Sequence, residues 1–200
     1  MNRSLKQIGR ADSRAKPEPF NGSGFFRSAL HNSGPDHWQS HWEAKLPRAR
    51  RVVQDDWDHP DKDSWIANLD ACVAEADAPI VLIAHSLACA LVAHWAGASE
   101  HVAKVHSALL VAPADVDSES HTPPVARCFA PMPLDLLPFK SLVLASQGDP
   151  YVEPLRAHFF ASCWYSGFLD VGALGHINSE SNIGDWDEGR ALLEQILPPP

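Results

Sequence analysis

The stretch Ile80-Val-Leu-Ile-Ala-His-Ser86-Leu-Ala88 joins two patterns with no connector between them. Ile80, Val81, Leu82, Ile83 and Ala84 form an apolar run of the length of a buried strand. From Leu87 to Gly97 the sequence reads as a helix. A serine at so tight a strand-to-helix junction projects its hydroxyl into a cleft, where a base can reach it. The motif usually written G-x-S-x-G appears here as Ala84-His-Ser86-Leu-Ala88. Both flanking positions must be small because strand and helix close tightly around the serine. Alanine keeps that smallness but makes a positive φ at the serine no easier. The competing reading is structural, since serine is also a common N-cap for a buried helix.

Working outward, apolar strands and helical segments alternate. Residues 38–46 read as a short helix and 51–53 as a short strand. Asp61 or Asp63 could cap a helix reaching Ala76, with Trp65, Ile66, Leu69, Cys72 and Val73 at helical spacing. Runs at 105–111, 141–145 and 168–171 predict three more strands. Residues 152–164, with Pro154 in the first turn, and 185–197, with Leu192, Leu193, Ile196 and Leu197, predict two more helices. Such alternation indicates an α/β three-layer sandwich, a mostly parallel sheet covered on both faces. Residues 113–138 break it with six prolines and no period. A long connection of that kind is either a cover over the cleft or a surface excursion. Two hundred residues suit one domain. The boundary is drawn at 25, with 1–24 a divergent, poorly ordered segment and 25–200 a single domain.

Composition narrows the function. A hydrophobic content of 45% and seven tryptophans argue against disorder. A formal charge of −9, with only the short basic cluster 45–51, argues against a nucleic-acid binder. The four cysteines stand far apart with no C-x-x-C pair, which weakens zinc and redox readings and fits a reducing cytoplasm. No apolar stretch has the length of a membrane span, and no leader pattern is visible. Among eleven histidines, His37 and His41 share a helical face, but H-W-Q-S-H lacks the glutamate of H-E-x-x-H. No metal, cofactor or membrane contact is therefore expected, and a cytoplasmic location is.

An alcohol attacks well only while losing its proton to a nearby base. Histidine suits that task, with an ordinary pKa near ~6.5, and a carboxylate on its other nitrogen fixes the tautomer. Asp149, in Ser-Gln-Gly-Asp-Pro-Tyr, follows the strand at 141–145; Gly148 permits a turn and Pro150 stops the strand. Its structural alternative is a helix N-cap. His176 follows Gly172-Ala-Leu-Gly175 after the last strand. Ser86 as nucleophile, Asp149 as acid and His176 as base give a workable order. Asp115, Asp117 and Asp170 compete for the acid, and His85 and His94 for the base. The backbone N–H of Leu87, at a helix N-terminus, is expected to bind the oxyanion. A second donor is expected from the loop after the first strand. Trp38 and His85 are assigned to the substrate pocket, with Trp57 and the connection over 113–138 as further candidates; His85, part of the turn at Ser86, is also expected to contact the groups behind the catalytic residues.

Several blocks resemble one known family: Asn32-Ser-Gly-Pro-Asp-His-Trp38, Gln54-Asp-Asp-Trp57, Val81-Leu-Ile-Ala-His-Ser-Leu87, Ala112-Pro-Ala-Asp115, Ser146-Gln-Gly-Asp-Pro-Tyr151 and Gly175-His-Ile-Asn178. From about residue 30 onward the chain resembles the small serine hydrolases related to retinoblastoma-binding protein nine and YdeN, in the α/β-hydrolase superfamily. The resemblance implies the compact α/β-hydrolase fold, the roles just given to Ser86, Asp149 and His176, and Leu30 as the second oxyanion donor. Family members open with an apolar strand and a glycine turn; here Phe25-Phe-Arg-Ser-Ala-Leu30 places Arg27 in the strand and Ala29 at the turn. The expected function is hydrolysis of a small carboxylic ester, with an amide second, through an acyl-serine. The alternative is a binding module that has kept the fold but not the chemistry, its protein partner unidentified.

Overall fold

The computed structural model describes residues 23–27, 33–77 and 79–199. Its strands are β1 (Ser23–Arg27), β2 (Ala49–Arg51), β3 (Ile80–His85), β4 (Val105–Val111), β5 (Lys140–Ala145) and β6 (Gly167–Asp170). Its α-helices are α1 (Trp38–Lys45), α2 (Lys62–Glu75), α3 (Leu87–Ala98), α4 (Pro154–Trp164) and α5 (Asp187–Glu194). The sheet order is β2-β1-β3-β4-β5-β6, and every neighbouring pair is parallel. Strand order turns back at β1 and β3, and the carboxyl ends beside such a switch point are where α/β folds assemble sites.

Side-chain alternation sorts the core into two clusters. Ile80, Leu82 and Ala84 of β3 pack with Trp65, Leu69 and Val73 of α2, Leu91 and Trp95 of α3, and Phe160 and Trp164 of α4. Val81 and Ile83 face the other way, toward Trp38 and Trp42 of α1, Trp186 and Leu193. All six residues of β3 are buried, as a central parallel strand requires. Three layers follow: α2, α3 and α4, then the sheet, then α1 and α5. Among the described residues no helix is long and apolar enough to cross a membrane.

Three departures from the sequence reading have local causes. The expected strand at 51–53 is β2 at Ala49–Arg51. Val52 is in the core while Val53 is 68% exposed, so the apolar pair marks the exit from the strand. A sheet edge tolerates the charged Arg50 and Arg51. The helix expected over 185–197 is α5 at Asp187–Glu194, its start set by Trp186 at φ 45°. The first strand exists: β1 pairs along its length with β3, Ser23 opposite Ile80 through Arg27 opposite Ala84. It opens before the boundary drawn at residue 25; the remaining expectations for 1–24 lie outside the described residues. The connection over 113–138 borders the sheet's carboxyl rim at Ala114. Farther on it packs Val116, Ala126, Phe129 and Met132 into the core shared by α2, α3 and α4.

Helix α2 illustrates both kinds of end. Asp61 is its N-cap and accepts from the Ser64 N–H at 2.8 Å. At the other end the Lys104 ammonium donates to the carbonyls of Val73, Ala74 and Ala76. A cation there answers both the orphaned carbonyls and the negative end of the helix dipole. Lys104→Met should lower unfolding free energy by about 1–2 kcal/mol, read from urea titration. An unchanged midpoint would show the contact to be inert.

Two histidines are enclosed on the α1 side of the sheet. His37 is the N-cap of α1, its Nδ1 accepting from the Gln39 N–H at 3.2 Å. Burial, then the positive charge of Arg51, holds its imidazole down to about 3. His85 ends β3, and burial followed by the neighbouring His176 and His37 holds it well below the ordinary histidine value. An unfolded histidine titrates near ~6.5. Below that pH the unfolded chain takes up protons that the folded chain refuses, so stability is full above ~6.5 and declines as pH falls. Between roughly pH 6 and 4 His37 should contribute a slope of about 1.4 kcal/mol per pH unit, and His85 adds in the same direction. Urea titrations across that window should show His37→Gln with a slope shallower by about that amount. Identical slopes in variant and parent would contradict the neutral assignment.

Candidate active site

Ser86 stands between β3 and α3 at φ 58° and ψ −124°. For a residue with a side chain such a conformation costs on the order of 1–3 kcal/mol and persists only where its surroundings hold it. Its N–H donates to the Val111 carbonyl at 2.9 Å, and its carbonyl accepts from the Cys89 N–H at 3.0 Å. Ala84 and Ala88, the two small positions, are fully enclosed. Ser86 occupies the N-cap position of α3, yet its hydroxyl makes no capping hydrogen bond. Capping therefore does not account for it. The hydroxyl lies 2.9 Å from Nε2 of His176 instead.

His176 comes from the loop after β6. Its Nδ1 is 2.9 Å from both carboxylate oxygens of Asp149. A carboxylate only accepts, so this contact puts the ring proton on Nδ1 and leaves Nε2 free to accept from Ser86. Asp149 follows β5 with a fully enclosed side chain and also accepts from the Tyr151 N–H at 2.8 Å. The N-cap of α4 is Glu153, so Asp149 is no helix cap.

The competitors are engaged elsewhere. Asp115 and Asp117 both pair with Arg156, at 3.1 and 2.9 Å. Asp170 accepts from Gln147 Nε2 and from the Gly172 N–H. His94 contacts the Phe129 carbonyl through Nε2 at 2.7 Å. His41, the partner of His37 in the helical pair, faces Asp185 at 3.2 Å.

The loop carrying His176 is held from several sides. Ser146 Oγ donates to the Gly172 carbonyl at 2.8 Å and accepts from the Leu174 N–H at 2.7 Å. Gly175 (φ 57°) takes a left-handed conformation that suits glycine, but Ile177 (φ 49°) takes one that strains a β-branched residue. The Tyr151 ring packs on the His176 imidazole with centroids 4.4 Å apart.

Trp38 and His85 are not where the pocket assignment put them. Each is 1% exposed, behind the site rather than facing a ligand. The Trp38 indole is wedged against Trp42 and Trp186, and its N–H donates to the Ile177 carbonyl at 2.8 Å. His85 Nε2 is 2.8 Å from the His176 carbonyl. Leu87 is the first residue of α3, where a backbone N–H has no partner within its own helix and carries the positive end of the dipole. Leu30 lies outside the described residues. Sequence reading missed Tyr151 and Ser146; both flank Asp149 in the block Ser146-Gln-Gly-Asp-Pro-Tyr151, where their proximity was the available signal.

Comparison with known proteins agrees with this architecture. A family model described as serine hydrolase matches residues 28–195. Among curated protein sequences none matches. Among solved structures, a YdeN-like hydrolase of Pectobacterium atrosepticum superposes with a TM-score of 0.76 at 30% identity, over 88% of this chain and 92% of that one. The ydeN gene product of B. subtilis gives a TM-score of 0.69 at 14% identity, over 88% and 98%. Est1E of Butyrivibrio proteoclasticus, solved with ferulic acid bound, gives 0.68 at 11% identity, over 92% and 93%, a likeness of fold alone. The matched span and the YdeN-like relative together place this chain in the serine hydrolase family of the α/β-hydrolase superfamily.

Proposed function

We propose that the protein hydrolyses a small carboxylic ester, with an amide as the second choice, through an acyl-serine on Ser86. The observation that carries this reading is the relay of contacts at 2.9 Å from Ser86 Oγ to His176 Nε2 and from His176 Nδ1 to Asp149, in a chain of the serine hydrolase family.

Chemically, His176 Nε2 takes the hydroxyl proton as Ser86 Oγ attacks the substrate carbonyl carbon. The carbonyl π bond opens and places negative charge on its oxygen, toward the Leu87 N–H at the positive end of α3. As the tetrahedral intermediate collapses, the imidazolium returns its proton to the leaving alkoxide and the acyl-serine remains. Water, deprotonated by the same nitrogen, then releases the acid and restores the hydroxyl. Asp149 holds the imidazole in the required tautomer and stabilises its charged form. The neutral state of His37 and His85 also matters, because neither adds positive charge behind the imidazolium.

The second reading, a binding module without chemistry, drew its support from the protein partner in the family's name and from the altered first strand, with Arg27 in the strand and Ala29, outside the described residues, at the turn. Continuous pairing of β1 with β3 answers the part that rests on Arg27.

A fluorophosphonate probe should label the purified protein on a single serine. Labelling should vanish in Ser86→Ala and persist in Ser107→Ala, whose hydroxyl is buried against the Ile196 carbonyl. Equal labelling of Ser86→Ala and parent would sink the nucleophile assignment. His176→Ala should lower turnover of p-nitrophenyl acetate by roughly three orders of magnitude or more while far-UV circular dichroism stays unchanged.

A further inference from the structure

We infer that Trp38 and His85 are positioning residues for His176: their ring N–H groups hold two consecutive carbonyls, those of Ile177 and His176, and so keep the imidazole aimed at Ser86. The inference rests on the hydrolase reading above and assigns a task to two residues that lie behind the site.

Both contacts are 2.8 Å long and buried, so no solvent stands ready to replace either donor. They meet the chain where it is strained. Ile177 is β-branched, fully buried and left-handed at φ 49°. A backbone like this persists only when over-determined by what surrounds it. The turn's own bond, from the Ile177 N–H to the Leu174 carbonyl, is long at 3.3 Å. The shorter bonds come from outside the loop, one from α1 and one from the end of β3.

The donors themselves cannot follow the loop if it shifts. The Trp38 ring sits against Trp42 and Trp186, with centroids 4.6 and 5.1 Å away. The His85 ring meets Trp38 edge-on at 88° and His37 at 66°. Relaxation of Ile177 toward ordinary φ would rotate the peptide joining it to His176. Both carbonyls would then leave their partners, and the imidazole would swing from its place between Asp149 and Ser86.

The tautomer of His85 fits the same task. Facing a carbonyl, Nε2 must carry the proton. Nδ1 is enclosed and has no hydrogen-bond partner among the described residues. A leucine or methionine would avoid that unsatisfied nitrogen, which costs free energy when buried. The histidine is explained by its Nε2 donor. A displacement of about 1 Å at a reacting group can reduce turnover by roughly 100-fold, so a device that fixes His176 to that tolerance acts on rate more than on substrate affinity.

The test uses p-nitrophenyl acetate and the variants Trp38→Phe, which keeps a ring but lacks the N–H, His85→Met, which lacks the donor, and His85→Gln, whose amide can donate to the same carbonyl. Trp38→Phe and His85→Met should each lower kcat by about 10- to 100-fold with KM changed by less than about twofold. His85→Gln should recover at least about fivefold over His85→Met. Unaltered kcat in Trp38→Phe and His85→Met, or no recovery in His85→Gln, would overturn the inference. Ser86→Ala is run alongside. A parent no faster than Ser86→Ala would defeat the hydrolase reading and leave the positioning inference to be judged without substrate. Proton NMR then reads it, through the low-field His176 Nδ1–H resonance assigned by its loss in His176→Ala. That signal should persist in His85→Gln and broaden or vanish in Trp38→Phe and His85→Met. Identical signals in all three would overturn the inference.

Discussion

The hydrogen bond from the Ser86 N–H to the Val111 carbonyl closes the β3–β4 pairing, and the site depends on it. β3 stops at His85, because the residue after Ser86 already belongs to α3. With no connector to absorb the turn, Ser86 takes the whole change of direction at φ 58°. Alanine on either side leaves room for strand and helix to close. The same rim receives β5 and β6, whose following loops deliver Asp149 and His176. Ala112 repeats the device one strand along: its φ is 49° and its N–H donates to the Leu144 carbonyl at 2.8 Å. The parallel ladder thus supplies both strain and restraint, and three side chains from distant parts of the sequence meet at its carboxyl end.

Much of this was legible before any coordinates. The helical period of Trp65, Leu69 and Val73 located α2, and the unbroken apolar run at 80–84 located the central strand. Such signals survive because they arise from burial on a face, which the sequence records directly. β2 was displaced by two residues because an edge strand buries little and Val52-Val53 looked more strand-like than Ala49-Arg50-Arg51. β1 was hard to read for the reason that Arg27 breaks its apolar pattern. Trp38 and His85 were assigned to a pocket since aromatic residues near a nucleophile suit either role; only burial separates the two. Their hydrogen bonds reach across 139 and 91 residues of sequence, and nothing local encodes them.

Electrostatically the site is asymmetric. Asp149 is enclosed and touches His176 on one side and the Tyr151 N–H on another. Opposite it, the imidazoles of His85 and His37 follow one another behind His176, at centroid distances of 4.7 and then 5.0 Å. Burial keeps both uncharged. A charged group in their place would push against any imidazolium formed at the front. The histidine content that first invited a metal reading serves, in these two positions, as neutral and polar packing.

The order of the sheet also bears on how the chain comes into being. Among the described strands the earliest in sequence, β1, is not at the margin of the finished sheet but inside it, between β2 and β3. At about 5–20 residues per second, it must wait several seconds before Ile80 and its neighbours are synthesised. Until then one of its two backbone flanks has no native partner, which is when nascent chains are most exposed to wrong pairing. A change in β1 therefore opens the sheet between β2 and β3 and detaches β2 with it, so this early strand acts as an internal seam.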